Sequence, residues 1–169
     1  AGVHTNRLAA GATGVTGKCL VMITPDAERT MNTFLGVSST LSAEDIDPVA
    51  LADSRFLYIE GYLVTSPSAR AAAVRARELA EAAGVRTALS FSDPGIVAHF
   101  REGLAEMLGG GVDLIFCNGA EALEWSGAET IEAAADSLRS IAKSFAITLG
   151  AEGALVFDGH QYHRIAPHP

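Results

Sequence analysis

Between residues 55 and 149 the chain alternates short β-prone apolar runs with longer helix-forming stretches, and this rhythm restricts the fold more than any other feature. Strand-like runs fall at 55–60, 86–91, 112–117 and 145–149. Ser66-Pro67 supplies an N-cap followed by proline at the first helical position, and Gly84 supplies a left-handed C-terminal residue, so one helix is predicted between them. A second is predicted from about 94 to 108, and further helical segments run through 144. Such alternation means right-handed βαβ units, hence an α/β fold with a mostly parallel, Rossmann-like sheet flanked by helices. Two later runs, 153–157 and 161–165, flank Asp158-Gly159, a strong turn signal, and read as a closing hairpin. Trp125 and the scattered phenylalanines are expected in the core.

The N-terminal part does not share this rhythm. Lys18-Cys-Leu-Val-Met-Ile-Thr24 is apolar, Pro25-Asp-Ala-Glu28 is a turn signal, and Arg29-Thr-Met-Asn-Thr-Phe-Leu35 alternates with period two. This predicts an antiparallel hairpin with one polar, functional face, followed by a loop at Gly36-Val-Ser-Ser and a capping box at Ser42-Ala-Glu-Asp45 that opens a short helix. The expected organisation is a hairpin flap with its connecting loops at 1–40, packed beside an α/β core at 41–169.

Composition narrows the class. With 49% hydrophobic and 19% charged residues, a chain of 169 residues can bury a core of about one domain. A formal charge of −8 argues against a nucleic-acid partner, which needs a basic stripe, but not against a nucleotide. No apolar stretch approaches the roughly 18 residues of a membrane span, and no basic-then-apolar leader is present. Cys19 and Cys117 lie in apolar strand-like runs and are expected to be buried free thiols in a reducing, cytoplasmic compartment. The chain opens at Ala1 on a polar segment and ends at Pro169 just after a strand-like run, so it is expected to be part of a larger protein.

A phosphate-loop reading of Gly11-Ala-Thr-Gly-Val-Thr-Gly17-Lys18 fails. The pattern needs glycine at Ala12 and Ser or Thr at Cys19, and it needs a strand before and a helix after, whereas here a strand follows. The same context defeats a dinucleotide-binding reading of this loop; an oxidoreductase nucleotide domain, a third possibility, lacks the strand–glycine-rich-loop–helix fingerprint, and failure of NAD to shift thermal stability would count further against it. His160 and His163, three apart on a predicted strand, face opposite sides and make a poor metal pair.

Two strand ends hold the chemistry. Asp113-Leu-Ile-Phe-Cys-Asn118-Gly-Ala-Glu121 and Phe145-Ala-Ile-Thr148-Leu-Gly150-Ala-Glu-Gly153 both stop an apolar run at small and polar residues, where parallel sheets bind ligands. Asn118 and Glu121 form either a helix-capping pair or a phosphate contact joined to a carboxylate holding Mg²⁺ through water. Gly150 and Gly153 either make a tight connection or let backbone approach a ligand.

Together these runs resemble the ribokinase-like (PfkB) family of sugar and nucleoside kinases, in which an Asn-x-x-Glu element contacts the phosphate and Mg²⁺ region and a Thr-Leu-Gly-x-x-Gly element forms part of the ATP site. Asn118 and Glu121 match the first, and Thr148, Gly150 and Gly153 the second. The segment from Gly17 to Met31 resembles the family's lid, especially in adenosine-kinase-like members; Leu57-Tyr-Ile-Glu60-Gly61 resembles the strand facing the phosphate acceptor; and Leu89-Ser-Phe-Ser-Asp93-Pro is similar to the next strand end. The resemblance implies ATP and Mg²⁺ as cofactors, a sugar or nucleoside acceptor meeting Glu60 and Gly61, and Arg29 neutralising the transferring phosphate. Asp93 reads as the cap of the helix beginning at Pro94. The family's early Gly-Gly motif and its Gly-Ala-Gly-Asp motif, whose aspartate is the general base, are not in these 169 residues. The chain therefore looks like a central fragment, expected to be inactive alone. A homodimer through the lid is expected, because a lone hairpin leaves unpaired edges. The rival reading is a non-catalytic nucleotide- or metabolite-binding α/β module, and a Gly-Ala-Gly-Asp string beyond Pro169 separates the two.

Overall fold

The computed structural model describes residues 14–25 and 29–168. Most of the predicted turn at 25–28, the first half of the glycine-rich segment and Pro169 lie outside the described residues. Two sheets are formed. Strands β1 (Lys18–Ile23) and β2 (Arg29–Phe34) pair antiparallel, Lys18 opposite Phe34 and Ile23 opposite Arg29. All their residues are exposed, on both faces. Cys19 is exposed with them, contrary to the expected burial: a two-stranded ribbon has no second layer to cover either face.

The main sheet runs β3 (Phe56–Glu60), β4 (Arg86–Ser90), β5 (Val112–Asn118), β6 (Ala142–Thr148), β7 (Ala154–Phe157) and β8 (Tyr162–Ile165), in that order. The first four strands are parallel, β7 runs antiparallel to β6, and β8 runs antiparallel to β7. The helices are α1 (Pro48–Ala52), α2 (Pro67–Ala83), α3 (Pro94–His99), α4 (Arg101–Leu108), α5 (Gly119–Ser126) and α6 (Ile131–Leu138). The α2 boundaries follow its caps: Ser66 accepts from the Ala69 amide, Pro67 starts the helix, and Gly84 ends it at φ 70°.

Because the parallel strands follow one another in sequence order, right-handed crossovers put their helices on one face. Burial agrees. Ile59, Leu89, Ile115, Phe145, Ile147 and Leu155 are buried, while Phe56, Tyr58 and Phe116, at the alternate positions, are exposed. The core is closed by Phe91 against Trp125, with ring centroids 5.0 Å apart, and by Phe145 against Phe157. Each such buried aromatic contributes about 2 kcal/mol. The phenylalanines thus divide, with Phe34, Phe56, Phe100 and Phe116 outside.

Three predicted elements differ, the first being the loop at Gly36-Val-Ser-Ser, which is a short 3-10 helix, Gly36–Thr40. The helix expected from 94 to 108 breaks at Phe100 (φ −124°, ψ 25°), whose amide ends α3 on the Ile96 carbonyl while its own carbonyl accepts the Leu104 amide of α4. Strand β6 begins at Ala142, before the predicted 145. Lys143 and Ser144 are polar, yet the Lys143 ammonium donates to Asp113 Oδ1 at 2.6 Å and the Ser144 hydroxyl to the Asp113 carbonyl at 2.7 Å, drawing both into the sheet.

Candidate functional site

The four parallel strands end side by side at Glu60, Ser90, Asn118 and Thr148; Glu60 is in register with Ser90, and Asn118 with Thr148. Everything predicted for the site except Arg29 therefore lies along one edge of the main sheet. Arg29 opens β2, is exposed, and makes no ion pair among the described residues.

Asn118 is the N-cap of α5. Its side-chain oxygen accepts from the Glu121 amide at 2.8 Å; its own amide donates to Glu121 Oε2 and its Nδ2 to Oε1, both at 2.9 Å. The capping box is thus real, and it buries Glu121 to 4% exposure. Burial raises the Glu121 pKa; the hydrogen bond from the Asn118 amide opposes this, and the nearby Asp93 and Glu60 carboxylates add to the rise. Each carboxylate oxygen keeps a lone pair after its Asn118 bond.

Asn118, Thr148 and Gly150 line an open cavity of about 610 Å³ with Gly119, Ile131, Leu149 and the ion-paired Arg164 and Glu132. Thr148, Gly150 and Gly153 also line a neighbouring recess of about 490 Å³. Gly150 (φ 58°) has open space where a Cβ would sit. Gly153 (φ 87°) serves its own chain, since a Cβ there would meet the Ile165 carbonyl oxygen at 2.0 Å.

Glu60 ends β3. Tyr58, two residues earlier on the same strand, donates its hydroxyl to Glu60 Oε2 at 2.9 Å, and Ser92 donates to Oε1. Gly61 is buried because β4 turns against it: a Cβ would meet the Ser90 carbonyl at 2.4 Å and Ser92 Oγ at 2.8 Å. Asp93 caps α3 as predicted, accepting from Gly95 at 2.7 Å. Tyr62 has its pKa raised, first by burial and then by Asp93, Glu60 and Glu121. Ser92, Tyr58 and Tyr62 escaped the sequence reading. The signal for Tyr58 was its spacing of two from Glu60 on a strand; Ser92 carried none, because its backbone conformation is not written in Ser-Asp-Pro.

His163 lies on β8 and pairs with Asp158 at 2.7 Å, while His160 sits in the preceding turn. Among the described residues no three His, Cys, Asp or Glu side chains are grouped to hold a metal ion, and no helix is long and apolar enough to cross a membrane.

A family profile described as pfkB family carbohydrate kinase matches residues 1–169, so the chain belongs to that family. Among solved structures, an adenosine kinase from Sinorhizobium meliloti is 35% identical with a TM-score of 0.85, covering 91% of this chain and 47% of its own. A protein from Rhizobium etli described as a probable sugar kinase is 28% identical, with a TM-score of 0.84 over 90% of this chain and 47% of its own. Anopheles gambiae adenosine kinase, in complex with P1,P4-di(adenosine-5) tetraphosphate, shares the fold at 21% identity and a TM-score of 0.81, over 94% of this chain and 51% of its own. The chain thus spans about half the length of these structures. No curated protein matches it. The fold is ribokinase-like and partial.

Proposed function

We propose that the complete protein is an ATP- and Mg²⁺-dependent kinase that transfers the γ-phosphoryl group to a hydroxymethyl group of a sugar or nucleoside. One observation carries this reading: four adjacent strand ends gather the acceptor-side residues Glu60 and Gly61, the capped pair Asn118 and Glu121, and the glycine turn at Gly150 along one edge. Family membership supports the class of chemistry, and the 35% identical adenosine kinase favours a nucleoside acceptor.

The residues fit the nucleotide and the metal. A cavity of about 610 Å³, with Asn118 on one wall and unencumbered Gly150 on another, suits a nucleotide. Glu121 is a buried carboxylate with Asp93 and Glu60 nearby, an arrangement a cation would relieve. Mg²⁺ keeps several waters and binds substrate phosphates, so Glu121 would hold it through water. When bound, the metal supplies charge neutralisation at the phosphoryl oxygens. The Asn118 side chain would orient a phosphate oxygen, and Arg29 on the hairpin, taken with residues 1–40 as a lid over the core at 41–169, would add a cation once over the site. Glu60 would accept hydrogen bonds from acceptor hydroxyls.

The test is a panel of hydroxylated acceptors, adenosine and ribose included, assayed on the full-length protein with ATP and Mg²⁺. Mg²⁺-dependent ADP release with at least one of them is expected, and Arg29→Ala should lower kcat about a hundredfold. Binding of nucleotide without turnover of any acceptor would favour the non-catalytic module instead.

A further inference from the structure

We propose that Tyr58 and Ser92 are positioning residues that clamp the Glu60 carboxylate in one orientation, fixing it as an acceptor for substrate hydroxyls. The inference rests on the acceptor-side reading of Glu60. Each carboxylate oxygen receives one hydroxyl, Tyr58 on Oε2 and Ser92 on Oε1, and the two donors come from neighbouring strand ends. Each of these bonds takes one lone pair, so each oxygen keeps a lone pair for one further donor. A carboxylate held in this way cannot rotate to follow a poorly placed ligand, so it favours acceptors whose hydroxyls sit where its free lone pairs point.

The backbone at Ser92 is built for this contact. Ser92 is the one non-glycine residue with positive φ among the described residues, at 72°. Serine adopts this conformation only at a cost, so the surroundings must impose it. Phe91, on one side, is fully buried against Trp125, and its amide donates to the Phe116 carbonyl. Asp93, on the other, is the cap of α3, and its amide turns back to the Phe91 carbonyl at 2.9 Å. Gly61 removes the Cβ that would collide with Ser92 Oγ. A glycine at position 92 would satisfy the backbone equally well. What the serine adds is its hydroxyl, whose short contact is to Glu60, with the Ser90 carbonyl farther away at 3.5 Å.

Full-length protein carrying Tyr58→Phe, Ser92→Gly, Ser92→Ala or Glu60→Gln separates the possibilities, assayed with ATP, Mg²⁺ and whichever of adenosine or ribose the wild type phosphorylates. Tyr58→Phe and Ser92→Gly should each raise the acceptor KM about tenfold, the worth of a hydrogen bond to a charged group, with kcat and the KM for ATP nearly unchanged. Ser92→Gly should melt at or above the wild-type temperature, while Ser92→Ala, which keeps the strain and loses the bond, should melt below Ser92→Gly. A raised KM in a variant that is no less stable cannot come from misfolding. If Glu60→Gln raises the acceptor KM while Tyr58→Phe and Ser92→Gly do not, the clamp is overturned and the reading of Glu60 stands. If Glu60→Gln leaves the acceptor KM unchanged, the acceptor-side reading of Glu60 falls, and the clamp with it.

Discussion

Glu121 is at once a helix cap and a buried charge, and a single substitution separates the roles. Glutamine at the third position of a helix completes a capping box as well as glutamate does, so Glu121→Gln keeps the acceptor for the Asn118 backbone amide and removes the charge together with the acceptor for Asn118 Nδ2. The folded chain holds the Glu121 proton more tightly than the unfolded chain, because its pKa is raised from 4.5 by burial. This linkage therefore favours the folded state below 4.5, and the contribution is lost as pH rises through the raised folded value. Glu121→Gln is expected to be as stable as the wild type or more so at pH 7, to flatten the pH dependence of denaturant midpoints above 4.5, and to raise the Mg²⁺ concentration needed for turnover about tenfold. A stability loss at pH 7 with unchanged Mg²⁺ response would show the residue to be a cap only. Sequence spacing made this pair legible as either cap or ligand, because a capping box is local. It could not reveal Glu121's burial, or that the Asp93 and Glu60 carboxylates act on it, because the end of β3, the cap of α3 and the first turn of α5 are far apart in sequence. Cys117 shows the same division: its burial, which pushes the thiol up to about 12, was legible from its apolar run, whereas the same pattern misled at Cys19.

At the level of elements, the strand–helix rhythm and its caps read correctly wherever local chemistry decides, as at Ser66, Pro67 and Gly84. It failed where distant contacts decide. Lys143 and Ser144 look like the tail of a helix until Asp113, thirty residues earlier, takes them into β6. Asp113 also accepts from the Thr87 amide at 2.8 Å, so one carboxylate ties β4, β5 and β6 together at the edge opposite the strand ends of the site. Burial alone would raise its pKa, but the bonds from Lys143 and Thr87 outweigh burial and lower it below 3.8. The stability it contributes is therefore present above 3.8 and lost as pH falls through the lowered folded value. Asp113→Asn is expected to cost about 1 kcal/mol at pH 7, a discounted figure because Lys143 is largely exposed, and progressively less toward pH 3. Urea titrations at both values check this; an equal loss at pH 7 and pH 3 would mean that shape rather than charge matters.

For the molecule as a whole, the decisive fact is that the sheet has one dressed face. The crossovers lay their helices over Ile59, Leu89, Ile115 and Phe145, while Phe56, Tyr58 and Phe116 stand on the opposite face, each more than 40% exposed. Parallel sheets are stable when both faces are covered. Large apolar side chains standing exposed on an uncovered sheet face mark a surface that a further layer can cover, and the chain spans about half the length of its solved relatives. The same shortfall bears on chemistry. On the proposed reading Asn118, Glu121 and Thr148 would supply a phosphate-side wall, but the sequence contains no Gly-Ala-Gly-Asp string to provide a base and an anion hole. Positioning without those donors forfeits most of the rate enhancement of phosphoryl transfer. The isolated 169-residue chain is therefore expected to bind the dye ANS strongly, to show less binding when Phe56 and Phe116 are both changed to Thr, and to release no ADP above background with ATP, Mg²⁺ and any acceptor the full-length protein uses. Fluorescence titration and a coupled ADP assay read the two effects separately. ANS binding lost in the double variant ties the patch to this face, and ADP release by the isolated chain would mean that a base within these residues suffices.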